Sequence, residues 1–232
     1  MTKIKIMALL IIVGSALFIL NSWETTVYSK EKEKPGRIIL LQASYASKVS
    51  VEEALASRRS IRSYKDEALT ITELSQLLWA AQGITSDWGG RTAPSAGAKY
   101  PLEVFAVVAK VKELEPGIYQ YDPGDHSLIT RKKGDLRKNL AEAALDQSSI
   151  TDAAVDLVVT GVYERTREKY GERAERYVHI EVGHACQNVY LQAETLKLGT
   201  VMIGAFFDDK VAALLELKEE EPLAIMPVGR RR

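Results

Sequence analysis

The period of its apolar positions divides the chain into a leader, a polar spacer and a folded part in which helical and strand patterns alternate. An apolar run from Ile6 to Leu20, broken only by Gly14 and Ser15, follows Lys3 and Lys5. A positive start before an apolar stretch of this length is the form of a secretory signal, and it is short for a spanning helix. Trp23 and Tyr28 would suit the interface if the segment stays as an anchor. Residues 1–22 are therefore expected to be a signal peptide or membrane anchor, with the protein exported to the periplasm or beyond the cell. Residues 23–47, centred on Lys30-Glu31-Lys32-Glu33-Lys34-Pro35, are expected to be a solvated linker, and residues 48–232 the folded domain.

Within that domain, Ser50-Val51-Glu52-Glu53 has the form of a capping box opening a short helix, and Thr70 to Glu73 opens a second. In the second, Leu74, Leu77, Leu78 and Ala81 recur at helical spacing and Gly83 supplies a stop. Glu103 to Val111 is a near-continuous apolar run, the pattern of a strand covered on both faces. Pro116-Gly117 and Asp122-Pro123-Gly124-Asp125 are turns that frame Ile118–Tyr121 and Leu128-Ile129 as a hairpin. Asp135 opens a helix through Leu145, and Val155 to Val162 is a second buried strand. Arg173 to Leu198 is a long helix ended by Gly199; Thr200 to Phe207 is a strand and loop, and Ala224 to Val228 a last strand. The order predicts an α+β domain: a mixed β-sheet flanked by helices.

Charge narrows the function. With 31 basic and 31 acidic side chains in 232 residues, the chain has no global field that would draw it to nucleic acid. Cys186 is the only cysteine, which excludes intramolecular disulfides and cysteine-rich zinc sites. It sits in a helical pattern and reads as a buried, inert thiol. His126, His179 and His184 are dispersed, so no metal site is expected. Nucleotide-binding glycine fingerprints and a nucleophile elbow are absent.

The densest chemistry is Arg58-Arg59-Ser60-Ile61-Arg62-Ser63-Tyr64 at the end of the first helix. Guanidinium forks suit phosphate, so the cluster reads equally as a grip on an anionic ligand or as a solvated basic helix end. Thr92 to Pro101 is a loop of small residues between prolines, in which Pro94-Ser95-Ala96-Gly97 would let a ligand approach the backbone closely.

These segments together resemble the FMN-dependent nitroreductase superfamily, in particular its SagB-type dehydrogenase branch. The resemblance rests on Arg58–Tyr64, on Pro94-Ser95-Ala96-Gly97-Ala98-Lys99-Tyr100-Pro101, and on the Pro116–Asp122 hairpin. It continues through Glu181-Val182-Gly183-His184-Ala185-Cys186-Gln187-Asn188 with Leu198-Gly199, and through Met226-Pro227-Val228-Gly229, running in order from Val49 to Gly229. It implies a homodimer with FMN at the interface. Arg58 and Arg62 would hold the phosphate or ribityl chain, with Arg59 and Ser60 near the polar edge of the flavin. Pro94, Ser95, Ala96 and Gly97 would lie along the ring system. Met202, Ile203, Gly204 and Ala205 would offer backbone contacts, and Arg230 a second phosphate contact. Lys99 and Tyr100 would be the catalytic pair. The implied activity is hydride transfer to or from a small molecule or peptide, with NAD(P)H a candidate donor. Azoline-to-azole oxidation of peptides, or flavin binding without turnover, are the alternatives.

Overall fold

The computed structural model describes residues 36–232; the leader and the Lys/Glu spacer lie outside the described residues. Among the described residues no helix is long and apolar enough to cross a membrane.

The first element begins inside the stretch expected to be linker. β1 (Arg37–Ile39) pairs antiparallel with β5 (Ser127–Lys133) at one sheet edge. Arg37 fixes it there: its Nη1 donates to Asp122 at 2.6 Å, Asp125 at 2.8 Å and Ser127 Oγ at 2.9 Å. The following segment is pinned as well. Ser44 N–H donates to Gln76 Oε1 at 2.8 Å, and His126 Nε2 donates to the Leu41 carbonyl at 2.9 Å. Sheet structure is thus already present at Arg37, inside the stretch expected to be linker, because a single arginine among acidic turn residues outweighs the polar composition.

α1 (Val51–Ser57) and α2 (Ile71–Gln82) both open with complete capping boxes, at Ser50/Glu53 and Thr70/Glu73. Two backbone donors at each start are thereby satisfied reciprocally. β3 (Leu102–Val108), β4 (Gly117–Asp122) and β5 form the expected meander, and the Asp122 carboxylate accepts the Gly124 N–H at 2.9 Å in the β4–β5 turn. α3 (Arg137–Ala143) and α4 (Ser148–Asp152) lead into β6 (Val155–Gly161), and α5 (Tyr163–Tyr170) into α6 (Ala174–Thr195). β7 (Leu198–Thr200), α7 (Asp208–Leu215) and β8 (Glu221–Arg231) close the chain. With β2 (Tyr64–Lys65), the sheet has eight strands in the order β1-β5-β4-β3-β6-β8-β2, with β7 also on β8. Among the described residues every ladder between these strands is antiparallel, and an isolated parallel bridge joins Leu69 to Val111.

The near-continuous apolar strands are explained by two cores. Val104, Ala106 and Val108 of β3 face one way, with Leu157 and Val159 of β6, into a core shared with α2 and α6. Phe105, Val107 and Val158 face the other way, toward Leu140, Ile150, Val211 and Leu215. Alternation still holds; both faces are simply dry. The α+β architecture is as the pattern predicts.

Three boundaries differ. Asp135 does not begin α3; it is paired with Arg137 Nη2 at 2.6 Å, and the helix starts two residues later without a side-chain cap. α6 stops at Thr195, and Lys197 with φ +57° turns the chain, not Gly199. The last strand runs to Arg231, beyond Val228.

Gly199 has a different role. It faces Gly229 across β7 and β8, and a Cβ at Gly199 would come within 2.7 Å of Ile61, while one at Gly229 would come within 2.7 Å of Tyr64. The two glycines make a flat floor on which the end of the arginine segment sits. Tyr64 Oη, buried there, donates to the Ile61 carbonyl at 2.7 Å. Gly199→Ala should therefore lower the unfolding free energy by about 1–3 kcal/mol through overpacking. Urea denaturation checks this, and an unchanged midpoint would show that Ile61 is free to yield.

Candidate functional site

The arginine segment leaves α1 at Arg58 and runs beside β7, where Ile61 N–H donates to the Thr200 carbonyl at 2.8 Å. Its members part ways. Arg59 folds back on its own helix, donating from Nη1 to the Ala56 and Arg58 carbonyls at 3.0 and 2.8 Å, which is the helix-end role. Arg58 lies over the ring of Tyr190, 5.2 Å from its centroid. Ser60 Oγ is 3.2 Å from Tyr190 Oη, which in turn accepts the Met202 N–H at 2.8 Å. Among the described residues, Arg58 and Arg62 form no ion pair.

Tyr190 thus joins the arginine segment to Met202–Ala205. Ile203 is fixed from behind by two backbone hydrogen bonds with Ile225, at 2.8 and 2.9 Å. Gly204 stands open, with nothing within 4 Å of where a Cβ would be. Ala205 is held through its carbonyl by Gln147 Nε2 at 3.0 Å.

The small-residue loop forms a second group further back along α6. Gly97, Ala98 and Tyr100 all adopt positive φ, at 60°, 54° and 46°. For alanine and tyrosine this is strain, which persists only where surrounding contacts over-determine it. Those contacts are visible. Tyr100 N–H donates to Ser95 Oγ at 2.9 Å, Arg165 donates to the Tyr100 carbonyl at 3.1 Å, and the Arg91 guanidinium lies 4.8 Å from the Tyr100 ring centroid. Arg165 is itself anchored on Glu103 at 2.6 Å. Lys99 Nζ pairs with Glu168 at 2.9 Å. Pro94 and Ala96 flank Ser95 without polar side-chain contacts of their own. Asn188 ties the loop's start to α6 by donating to the Thr92 carbonyl at 3.2 Å.

One candidate is engaged elsewhere. Arg230 makes a forked ion pair with Glu73, from Nη1 at 2.6 Å and Nη2 at 2.8 Å, bracing β8 against the start of α2. Burial pushes the Glu73 carboxyl up, but Arg230 and the Thr70 N–H and hydroxyl hold it below the usual carboxylate range. Its donors serve the fold rather than the arginine segment.

Tyr190, Arg91 and Arg165 brace the candidate segments, and buried Glu181 lies on the same helix as Tyr190; sequence patterns did not single them out. A signal existed for Glu181: it occupies a core position between Val178 and Ala185 on the apolar stripe of α6, where a carboxylate has no ordinary reason to be. Cys186, on the same stripe, is buried as expected, and burial pushes its thiol up to about 12.

A two-faced antiparallel sheet with helices on both sides, arginines without ion-pair partners beside an open backbone segment, and a strained small-residue loop braced on α6 define an α+β protein. The chain belongs to the nitroreductase family, whose sequence pattern it matches over residues 55–230. It is 45% identical over 196 residues to a nitroreductase-family protein of Methanocaldococcus jannaschii, covering 84% of this chain and 98% of that one. It is 25% identical to the trifolitoxin operon protein TfxC of Rhizobium leguminosarum, covering 90% of this chain and 64% of that protein. A crystal structure of a nitroreductase-family protein from Ralstonia eutropha superposes with a TM-score of 0.74 at 28% identity, covering 85% and 90% of the two chains. One from Anabaena variabilis gives 0.70 at 34% identity, where 78% of this chain spans 38% of that one. The fold of a chain in the Escherichia coli microcin synthetase McbBCD complex, bound to truncated pro-MccB17, is also shared, with a TM-score of 0.66 at 23% identity.

The two arginine environments separate in a stability experiment. Arg230→Ala strands Glu73 and should cost about 1–3 kcal/mol of unfolding free energy. Arg62→Ala removes no side-chain hydrogen bond or ion pair among the described residues and should stay within about 0.5 kcal/mol of wild type. Parallel urea titrations of both variants measure the difference.

Proposed function

We propose that this nitroreductase-family oxidoreductase is an FMN-dependent dehydrogenase of the SagB type, working as a homodimer on a small molecule or peptide. The observation that carries the reading is the pairing of Arg58 and Arg62, cations without acidic partners, with the open backbone at Gly204. An uncompensated guanidinium pair fits a phosphate, and an exposed glycine admits a flat ring system close to the chain. Half-exposed Ile180 on α6 and Met202 beside the arginines support burial of this face by a second copy.

Bound FMN would supply two-electron acceptor chemistry that the side chains lack. The chain's own residues would bind and orient. Arg58, flattened on Tyr190, and Arg62 would hold the phosphate end, while Ser60, tied to Tyr190, would offer a hydroxyl to the polar edge. The Ser95–Gly97 loop would bring its backbone against the ring, and Met202–Ala205 would line the other side.

Lys99 and Tyr100 remain the candidate pair for moving a substrate proton. Lys99 has Glu168 as its partner, and the Tyr100 backbone is locked by Ser95 and Arg165, so any such role requires Lys99 to exchange Glu168 for substrate. A peptide, including an azoline, stands beside a small molecule as a candidate substrate; the fold is shared with a chain of the McbBCD complex, whose structure holds truncated pro-MccB17. The Lys3–Leu20 pattern supports export of the domain, released or anchored.

Three measurements test these points. Arg58→Ala should weaken FMN binding about tenfold or more, since a charge-assisted hydrogen bond contributes roughly 1.5–3 kcal/mol. Titration calorimetry of the folded variant reads this directly, and a wild-type protein that takes up no FMN would remove the reading. Lys99→Ala and Tyr100→Phe should slow oxidation of substrate yet leave FMN bound and leave reduction by NAD(P)H unchanged. Stopped-flow bleaching with each donor separates those outcomes, and full substrate oxidation in both variants would exclude the pair. A reporter fused after Arg232 should be active only outside the cytoplasm.

A further inference from the structure

We propose that Tyr163, positioned by His179, is a proton-transfer residue in a cavity beside Met202 and Gly204 that takes a small ring or side chain exchanging a proton together with a hydride. The hydride half of this step rests on the flavin reading above; the cavity and its hydroxyl–imidazole pair do not.

The cavity measures about 410 Å³ and lies between α5, α6, the start of β8 and the segment after β7. That is the small end of the range for ligand cavities, with room for one ring or one side chain. Buried Val182 and Pro222 give it an apolar wall. Met202 and Gly204 bring it to the backbone segment that Tyr190 ties to the arginines. Nothing stands within 4 Å of where a Gly204 Cβ would be, so that side is open to an occupant.

Tyr163 and His179 both line this cavity, and they touch. Tyr163 Oη lies 2.6 Å from His179 Nε2, with the rings edge to face and 5.8 Å between centroids. The Tyr163 ring packs against the larger core, which keeps its hydroxyl in place. Lys99 and Tyr100 are not among the lining residues, so this pair is a separate proton path.

The charged groups around the pair are all acidic: Glu175 of α6, Asp208 at the start of α7 and Glu221 at the start of β8. Burial, and then the field of Glu221, Glu175 and Asp208, push the Tyr163 phenol up to about 12, so it keeps its proton at neutral pH. A protonated hydroxyl bonded to a ring nitrogen can give its proton to a substrate and be refilled from the imidazole, or work in reverse. When a substrate is oxidised, its C–H bond breaks and both electrons leave with the hydrogen as hydride to the flavin. Its O–H or N–H bond breaks as well. That proton goes to Tyr163 Oη while the hydroxyl's own proton passes to His179 Nε2 and on to solvent. Reduction of an acceptor runs the same bond changes backwards.

Two oxidants separate proton transfer from electron transfer. Benzoquinone takes up a hydride and a proton to become hydroquinone, whereas ferricyanide takes single electrons and no proton. In the FMN-loaded, pre-reduced full-length protein, Tyr163→Phe should slow reoxidation by benzoquinone about 100-fold or more, while ferricyanide should keep its wild-type rate. His179→Ala should show the same selective loss, and added imidazole should restore the benzoquinone rate, which a purely structural role would not allow. Equal slowing with both oxidants, or no slowing with either, overturns the proposal. A second readout needs no flavin. Before FMN is added, hydroquinone should shift the His179 ring signals in nitrogen NMR, and Gly204→Leu, whose side chain fills the cavity, should remove that shift. This measurement on the wild-type chain serves if either pair variant fails to fold, and unmoved His179 signals overturn the proposal. FMN uptake with unmoved signals would end the cavity proposal and leave the flavin reading. No FMN uptake with the hydroquinone shift present would end the flavin reading and leave the cavity and its pair standing.

Discussion

Two glycines facing one another across β7 and β8 decide where the chemistry of this protein can be. Gly199 and Gly229 leave the sheet bare at one spot, and Ile61 and Tyr64 settle onto it with no room to spare. The contact is van der Waals packing reinforced by the Ile61 N–H to Thr200 carbonyl hydrogen bond. Because the segment before Ile61 is short and follows directly from α1, its seating fixes Arg58, Ser60 and Arg62 as well. Without the bare patch, that stretch would be a basic helix end pointing into water.

α6 does the complementary work. Its buried stripe closes the core against β3 and β6, while Asn188 and Tyr190 reach out to the two loop regions. Asn188 and Tyr190 are two residues apart, so the start of the loop and the arginine segment meet the helix within roughly 3 Å of each other along its axis. One rigid helix thus sets the spacing between a strained backbone loop and the arginine segment. Loops alone could not hold such a distance against their own conformational entropy.

The arginines fall into paired and unpaired groups. Arg37, Arg137, Arg165 and Arg230 are each paired with carboxylates and stitch strands, turns and helix starts together. Arg58 and Arg62 have no such partner among the described residues, so their donors are available to a ligand. Equal totals of acid and base in the chain conceal this inequality, which is local.

Local chemistry fixed much of the architecture in advance. The capping boxes at Ser50 and Thr70, the helical repeat of Leu74–Ala81, and the paired turns around β4 follow from hydrogen-bonding and steric preferences that act over a few residues. They were legible because nothing distant overrides them. The family resemblance was legible for the same reason, since its motifs are contiguous. What the sequence could not reveal were pairings across long separations. Arg37 recruits residues 36–39 into the sheet by reaching Asp122, Arg230 is claimed by Glu73, and Gly199 serves Ile61 rather than ending a helix. Tyr190 becomes a hub only once α6 lies against β7. A side chain's partner is set by which surfaces the tertiary fold brings within about 3 Å, and sequence spacing carries no information about that distance.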